Sequence, residues 1–100
     1  MNNSVATIDT ADPQRLIRRL SRHWSHKFPV RQEQKRSEIR LTLGDCLLEA
    51  GEATLRVRLQ AADEEVLPRF EAVVVSHLQR MAAGPLPEFL WQRQTHQEYP

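Results

Sequence analysis

The stretch EIRLTLGDCLLEAGEATLRVRLQ, residues 38–60, decides the fold. Ile39, Leu41 and Leu43 alternate with polar partners, and so do Leu55, Val57 and Leu59. Gly44-Asp45 and Gly51-Glu52 stand between these runs as turn signals. A period of two sends alternate side chains to opposite faces of a strand. The region from Val30 to Gln60 is therefore expected to form an antiparallel meander. Its inner face holds Ile39, Leu41, Leu43, Cys46 or Leu47, Leu55, Val57 and Leu59, while Glu38, Arg40, Arg56 and Arg58 face away.

Helical periodicity flanks the meander on both sides. Asp12 followed by Pro13 is a capping carboxylate with proline at the first helical position, and Leu16, Ile17, Leu20 and Trp24 then recur on one face. Arg15, Arg18, Arg19, Arg22 and His26 fall on the other face. Pro29 pushes its predecessor out of helical geometry, so the helix is expected to end at Lys27 or Phe28. A second helix follows Asp63-Glu64-Glu65, whose charges complement the helix dipole, with Val66, Leu67, Phe70, Val73, Val74, Leu78 and Met81 as its apolar stripe. Pro68 requires a start near Glu65 or a kink, and Gly84-Pro85 ends the helix. Val5–Asp9 and Glu88–Arg93 are expected to add strands, the latter presenting Phe89 and Trp91. The fold class is thus α+β: a two-layer sandwich with an antiparallel sheet of about four to six strands and two helices packed on one face.

One hundred residues correspond to one domain, read here as residues 1–100 with an ordered core at about 4–93 and a flexible tail at 94–100. Neither a secretory leader nor a membrane-spanning run is visible, and the lone Cys46 has no disulfide partner, so a cytoplasmic setting is expected. The net charge of +1 is unevenly distributed. Residues 1–40 carry nine Lys/Arg against four Asp/Glu, while residues 41–100 carry five against nine. A phosphate binder usually has a basic excess over its whole domain, so this layout argues against nucleic acid as a partner.

His23 and His26 bracket Trp24, three residues apart, and the helical count puts His23 at the border of the buried face. Two imidazoles make no metal site on their own. His77 sits near the middle of the second helix's stripe, however, and two helices lying side by side would bring it to His23, with Cys46 on a strand beneath. Three histidines, or two with the cysteine, suit zinc, iron or copper. The alternative is a neutral core histidine bonded through one ring nitrogen. Cys46 beside a histidine is also the minimal kit for a thiolate nucleophile, but no activating feature accompanies it. No nucleophile elbow and no phosphate-cradling glycine loop is present, so a non-enzymatic role is favoured over catalysis. Arg19 and Arg22, with Arg15 and Arg18, make the densest charge in the chain. They are either a solvated helix face or a contact for an anionic ligand or partner, to which Trp24 and Lys27 would contribute.

The segments ADP (11–13), RHWSHKFPV (22–30), GDCLLEA (44–50), TLRVRLQAAD (54–63) and SHLQRMA (76–82), taken in this order, resemble a bacterial family known as domain of unknown function 2218. The resemblance spans about residues 4–93. Similar proteins often carry the same residues at His23, His26, Lys27 and His77, whereas Met81 stands where phenylalanine is expected. Similar domains occur beside, or fused to, siderophore-interacting flavin reductases. The resemblance therefore implies a small accessory domain in intracellular iron or siderophore handling that binds a metal complex or such a reductase. The other reading is a protein-interaction or homodimerisation module without metal or small-molecule ligand, using the open sheet face at Arg40, Arg56 and Arg58 or the edge at Trp91.

Overall fold

Asp12 caps the first helix as expected: its side chain accepts a hydrogen bond from the backbone N–H of Arg15 at 3.1 Å, and Pro13 opens the helix. The computed structural model describes residues 2–94, so Thr95–Pro100, expected to fray, lie outside the described residues. The elements in chain order are β1 (Asn2–Asp9), α1 (Pro13–Trp24), β2 (Val30–Gln32), β3 (Arg36–Leu41), β4 (Gly44–Ala50), β5 (Thr54–Ala61), a 3₁₀ turn (Glu64–Val66), α2 (Leu67–Met81) and β6 (Gln92–Gln94). The strands form one six-stranded sheet of order β2-β3-β4-β5-β1-β6, in which every neighbouring pair is antiparallel. None of the described helices is long and apolar enough to cross a membrane.

Strand register explains which face the helices cover. Ile39 stands opposite Cys46, Cys46 opposite Leu59, and Leu48 opposite Val57, so these side chains form one apolar layer. Leu16, Ile17, Leu20 and Trp24 of α1 and Phe70, Val74 and Leu78 of α2 close over it. The choice between Cys46 and Leu47 resolves to Cys46, since Leu47 pairs with Glu38 and Arg58 on the outer face. That face is ionic, with Arg36–Glu38 at 3.4 Å and Arg56–Glu49 at 3.8 Å. Two hydroxyl contacts tie the layers together. Ser21 of α1 donates to Ser37 of β3 at 2.7 Å, and Ser4 of β1 donates to Glu71 of α2.

Several boundaries differ from expectation. α1 stops at Trp24 rather than Lys27 or Phe28, because the backbone N–H groups of both later residues close a turn onto the Trp24 carbonyl. Pro68 causes no kink: the 3₁₀ turn ends before it, and proline falls in the first turn of α2, where no intrahelical donor is needed. The β3–β4 connection is Thr42-Leu43, so Leu43 leaves the strand pattern and Gly44 begins β4 at φ 148°. β1 is longer than Val5–Asp9. β6 is shorter than Glu88–Arg93 and lies later in the chain, but it joins the main sheet beside β1 and includes Gln94, beyond the expected end of the ordered core at 93. Phe89 and Trp91 precede β6 in an irregular segment, their rings stacked with centroids 5.8 Å apart.

Glu71, only 7% exposed, anchors β6 by a bidentate ion pair to Arg93 at 2.8 and 2.9 Å. Burial pushes the Glu71 carboxyl up, but the hydrogen bonds from Arg93 and Ser4, with the Arg93 charge, outweigh it and hold the group below the usual glutamate range. A lowered folded pKa contributes stability that is present above the unfolded value and lost as pH falls through the folded one. Urea titrations of the wild type should therefore show stability declining through that acidic window, and Glu71→Gln should flatten this part of the profile. At neutral pH, Glu71→Ala should cost about 2 kcal/mol by leaving the Ser4 hydroxyl and the guanidinium without their acceptor.

A Cβ at Gly44 would stand 2.1 Å from the Gln60 carbonyl oxygen and 3.0 Å from the Phe70 ring. Gly44→Ala should accordingly lower stability by at least about 2 kcal/mol and shift the amide resonances of Leu41 to Leu43.

Candidate binding cleft between the helix ends

The cleft is built where α1 ends. The turn after Trp24 swings His26 and Lys27 off the helix axis, and Phe28 packs against the core margin. The end of β3 contributes Leu41, the β3–β4 connection Thr42 and Leu43, and α2 Val73 and His77. His23, Trp24, His26, Lys27, Phe28 and these residues enclose about 390 Å³, within the range of small-molecule sites. The expectation that side-by-side helices unite distant imidazoles thus holds geometrically. The His77 ring centroid lies 5.5 Å from that of His23 and 5.0 Å from that of Trp24.

His77 has a defined orientation. Its Nδ1 lies 2.7 Å from the Val73 carbonyl oxygen. A carbonyl only accepts, so Nδ1 carries a proton, and in the neutral ring the lone pair is on Nε2. This is the arrangement by which a backbone carbonyl orients a ligating or accepting imidazole. His77 is half-buried, whereas His23 and His26 are exposed, so His23 stands further out than its helical position indicated.

The sequence-derived residues do not all meet here. Arg19 and Arg22, grouped in the sequence with Trp24 and Lys27, line a separate groove on the other flank of α1. Arg19 also donates to the Met81 carbonyl at 2.9 Å, tying α1 to the end of α2. Cys46 does not line the cleft. It is 1% exposed in the apolar layer, and burial pushes its thiol up, which suits neither a nucleophile nor a ligand. Among the described residues no group of three or more His, Cys, Asp or Glu is arranged to hold a metal ion, so His23, His26 and His77 share a cleft without forming a three-ligand site. The contributions of Leu41, Thr42, Leu43 and Val73 are not visible in the sequence pattern. The turn, expected at Gly44-Asp45, hid Thr42 and Leu43, while Leu41 and Val73 read as core.

The family model described as "Uncharacterized protein conserved in bacteria (DUF2218)" matches residues 5–92. The chain belongs to that family. The cleft residues of this DUF2218 chain all fall inside the matched span. The chain is also similar to the NMR structure of PA4090 from Pseudomonas aeruginosa, at 35% identity over 92% of this chain and 96% of that one, with a TM-score of 0.77. No curated protein matches the chain.

Two measurements check this geometry. Nitrogen-15 NMR of the histidine rings should show His77 as the Nδ1–H tautomer. A thiol reagent such as Ellman's should leave Cys46 unmodified in the native protein and react with one equivalent in denaturant. Rapid native labelling would mean that the β3–β4–β5 layer is open there.

Proposed function

We propose that this domain is a non-enzymatic intracellular binding module whose cleft accepts an anionic, aromatic metal chelate of the ferric siderophore type. The observation carrying this reading is the oriented His77, with His23 at 5.5 Å and Trp24 at 5.0 Å, in a cleft that also holds the cationic Lys27. Structural metal sites for a bare ion use about four protein ligands, which this cleft does not assemble among the described residues. A metal already wrapped by a chelator needs none. It needs a cation for its negative charge, an imidazole N–H for its peripheral oxygens, and apolar walls for its rings. Lys27, the exposed His23 beside His77, and Trp24 with Phe28 match those requirements in turn. The reading takes a siderophore reductase, the partner that the resemblance implies, as the donor or acceptor of such a chelate.

The test is titration with gallium(III) tris-catecholate, followed by NMR, with zinc ion as the bare-metal control. Saturable shifts of the Trp24 indole and of the His23 and His77 ring resonances are expected, without a matching response to zinc. Lys27→Ala and His23→Ala, both at exposed positions, should each weaken binding roughly tenfold, or about 1.4 kcal/mol. Absence of any shift at millimolar chelate, together with a molecular weight that rises with concentration in light scattering, would overturn the proposal in favour of a homodimerisation module.

A further inference from the structure

The groove on the opposite flank of α1 combines two features. Arg15, Arg18, Arg19 and Arg22 line it on the helix side, and Val30 and Gln32 line it on the sheet side, around about 580 Å³. Among the described residues, no carboxylate lies within ion-pair distance of any of these arginines. The sheet side is the outer edge of β2, the outermost strand among the described residues. Hydrogen-bond parity sets its direction. The Arg40 N–H donates to the Pro29 carbonyl and the Glu33 N–H to the Arg36 carbonyl, so residues 29, 31 and 33 turn their backbone groups toward β3. Val30 and Gln32 therefore present their N–H and C=O groups outward, beneath the arginines.

We infer that this edge takes up an extended, acidic segment of a partner protein as a seventh strand. Main-chain hydrogen bonds to Val30 and Gln32 would hold it, and its acidic side chains would meet the arginine row. Along the helix axis, Arg15 to Arg18 and Arg18 to Arg22 are separated by about 4.5 and 6 Å, comparable to the roughly 6.8 Å between same-face residues of a strand. A second copy's β2 is a poor occupant, since pairing would bring arginine row against arginine row. Single-stranded nucleic acid is disfavoured because, among the described residues, no aromatic side chain lines the groove for base stacking.

The experiment uses a fluorescent heptapeptide of alternating glutamate and valine, measured by anisotropy and by amide NMR on the whole chain. Saturable binding that weakens with salt is expected, with the largest amide shifts at Val30 and Gln32. Arg18→Glu combined with Arg22→Glu should lower affinity at least about tenfold, as judged from charge-pair losses at interfaces. Gln32→Pro removes only the outward N–H, so the β2–β3 pairing should survive, as checked by the amide spectrum, while peptide affinity falls. The proposal is overturned if the double arginine variant binds as well as wild type. It is equally overturned if Gln32→Pro leaves affinity unchanged while polyphosphate or a single-stranded oligonucleotide displaces the peptide at equal charge, since the groove would then be an unspecific anion surface.

Discussion

Only one face of the sheet can shed water at a profit in free energy, and this constraint shapes the molecule. Ile39, Cys46, Leu48, Leu55, Val57 and Leu59 lie on that face, and the opposite face carries Arg36, Glu38, Arg56 and Glu49 in ion pairs. Two amphipathic helices with apolar stripes must therefore share the same side. Burying a side chain such as Ile17, Leu20, Phe70 or Leu78, each fully enclosed, contributes roughly 1.5–3 kcal/mol. Moving either helix would forfeit several such terms. The proximity of His23 to His77 is a by-product of that packing.

α1 divides its surroundings into three. Its apolar stripe faces the sheet, its C-terminal end opens onto the cleft with His77, and its arginine row overlooks β2. Residues adjacent in sequence, such as Arg22 and His23, thus serve different surfaces. A 3.6-residue period makes this unavoidable, because neighbours in sequence stand about 100° apart around the axis. The Arg19 bond to Met81 and the Glu71 bonds to Ser4 and Arg93 tie the margins of the domain to this frame.

Much of the fold was legible in the sequence, for stated reasons. Asp12-Pro13 announces a helix by capping chemistry, and the alternation at Leu55, Val57 and Leu59 is what a half-buried strand requires. The failures are local and physical. Thr42-Leu43 turns without the glycine at its centre, because Gly44 is used one residue later, where its φ and its approach to Gln60 demand it. β2 and β6 are three residues long and held by neighbours, so no periodicity can declare them. In the cleft, the histidines and Trp24 were visible as residue types. The wall formed by Leu41, Thr42 and Val73 exists only through tertiary packing, and the tautomer of His77 depends on a carbonyl whose direction only the folded helix defines.

The central claim is that the shared sheet face brings α1 and α2 together with His77 between His23 and Trp24. The most direct measurement is a nuclear Overhauser spectrum of the aromatic protons in solution. Cross-peaks from the His77 imidazole to both the Trp24 indole and the His23 ring are predicted by centroid separations of 5.0 and 5.5 Å. Their absence, in a sample whose Leu48–Val57 and Ile39–Cys46 strand contacts are intact, would contradict it.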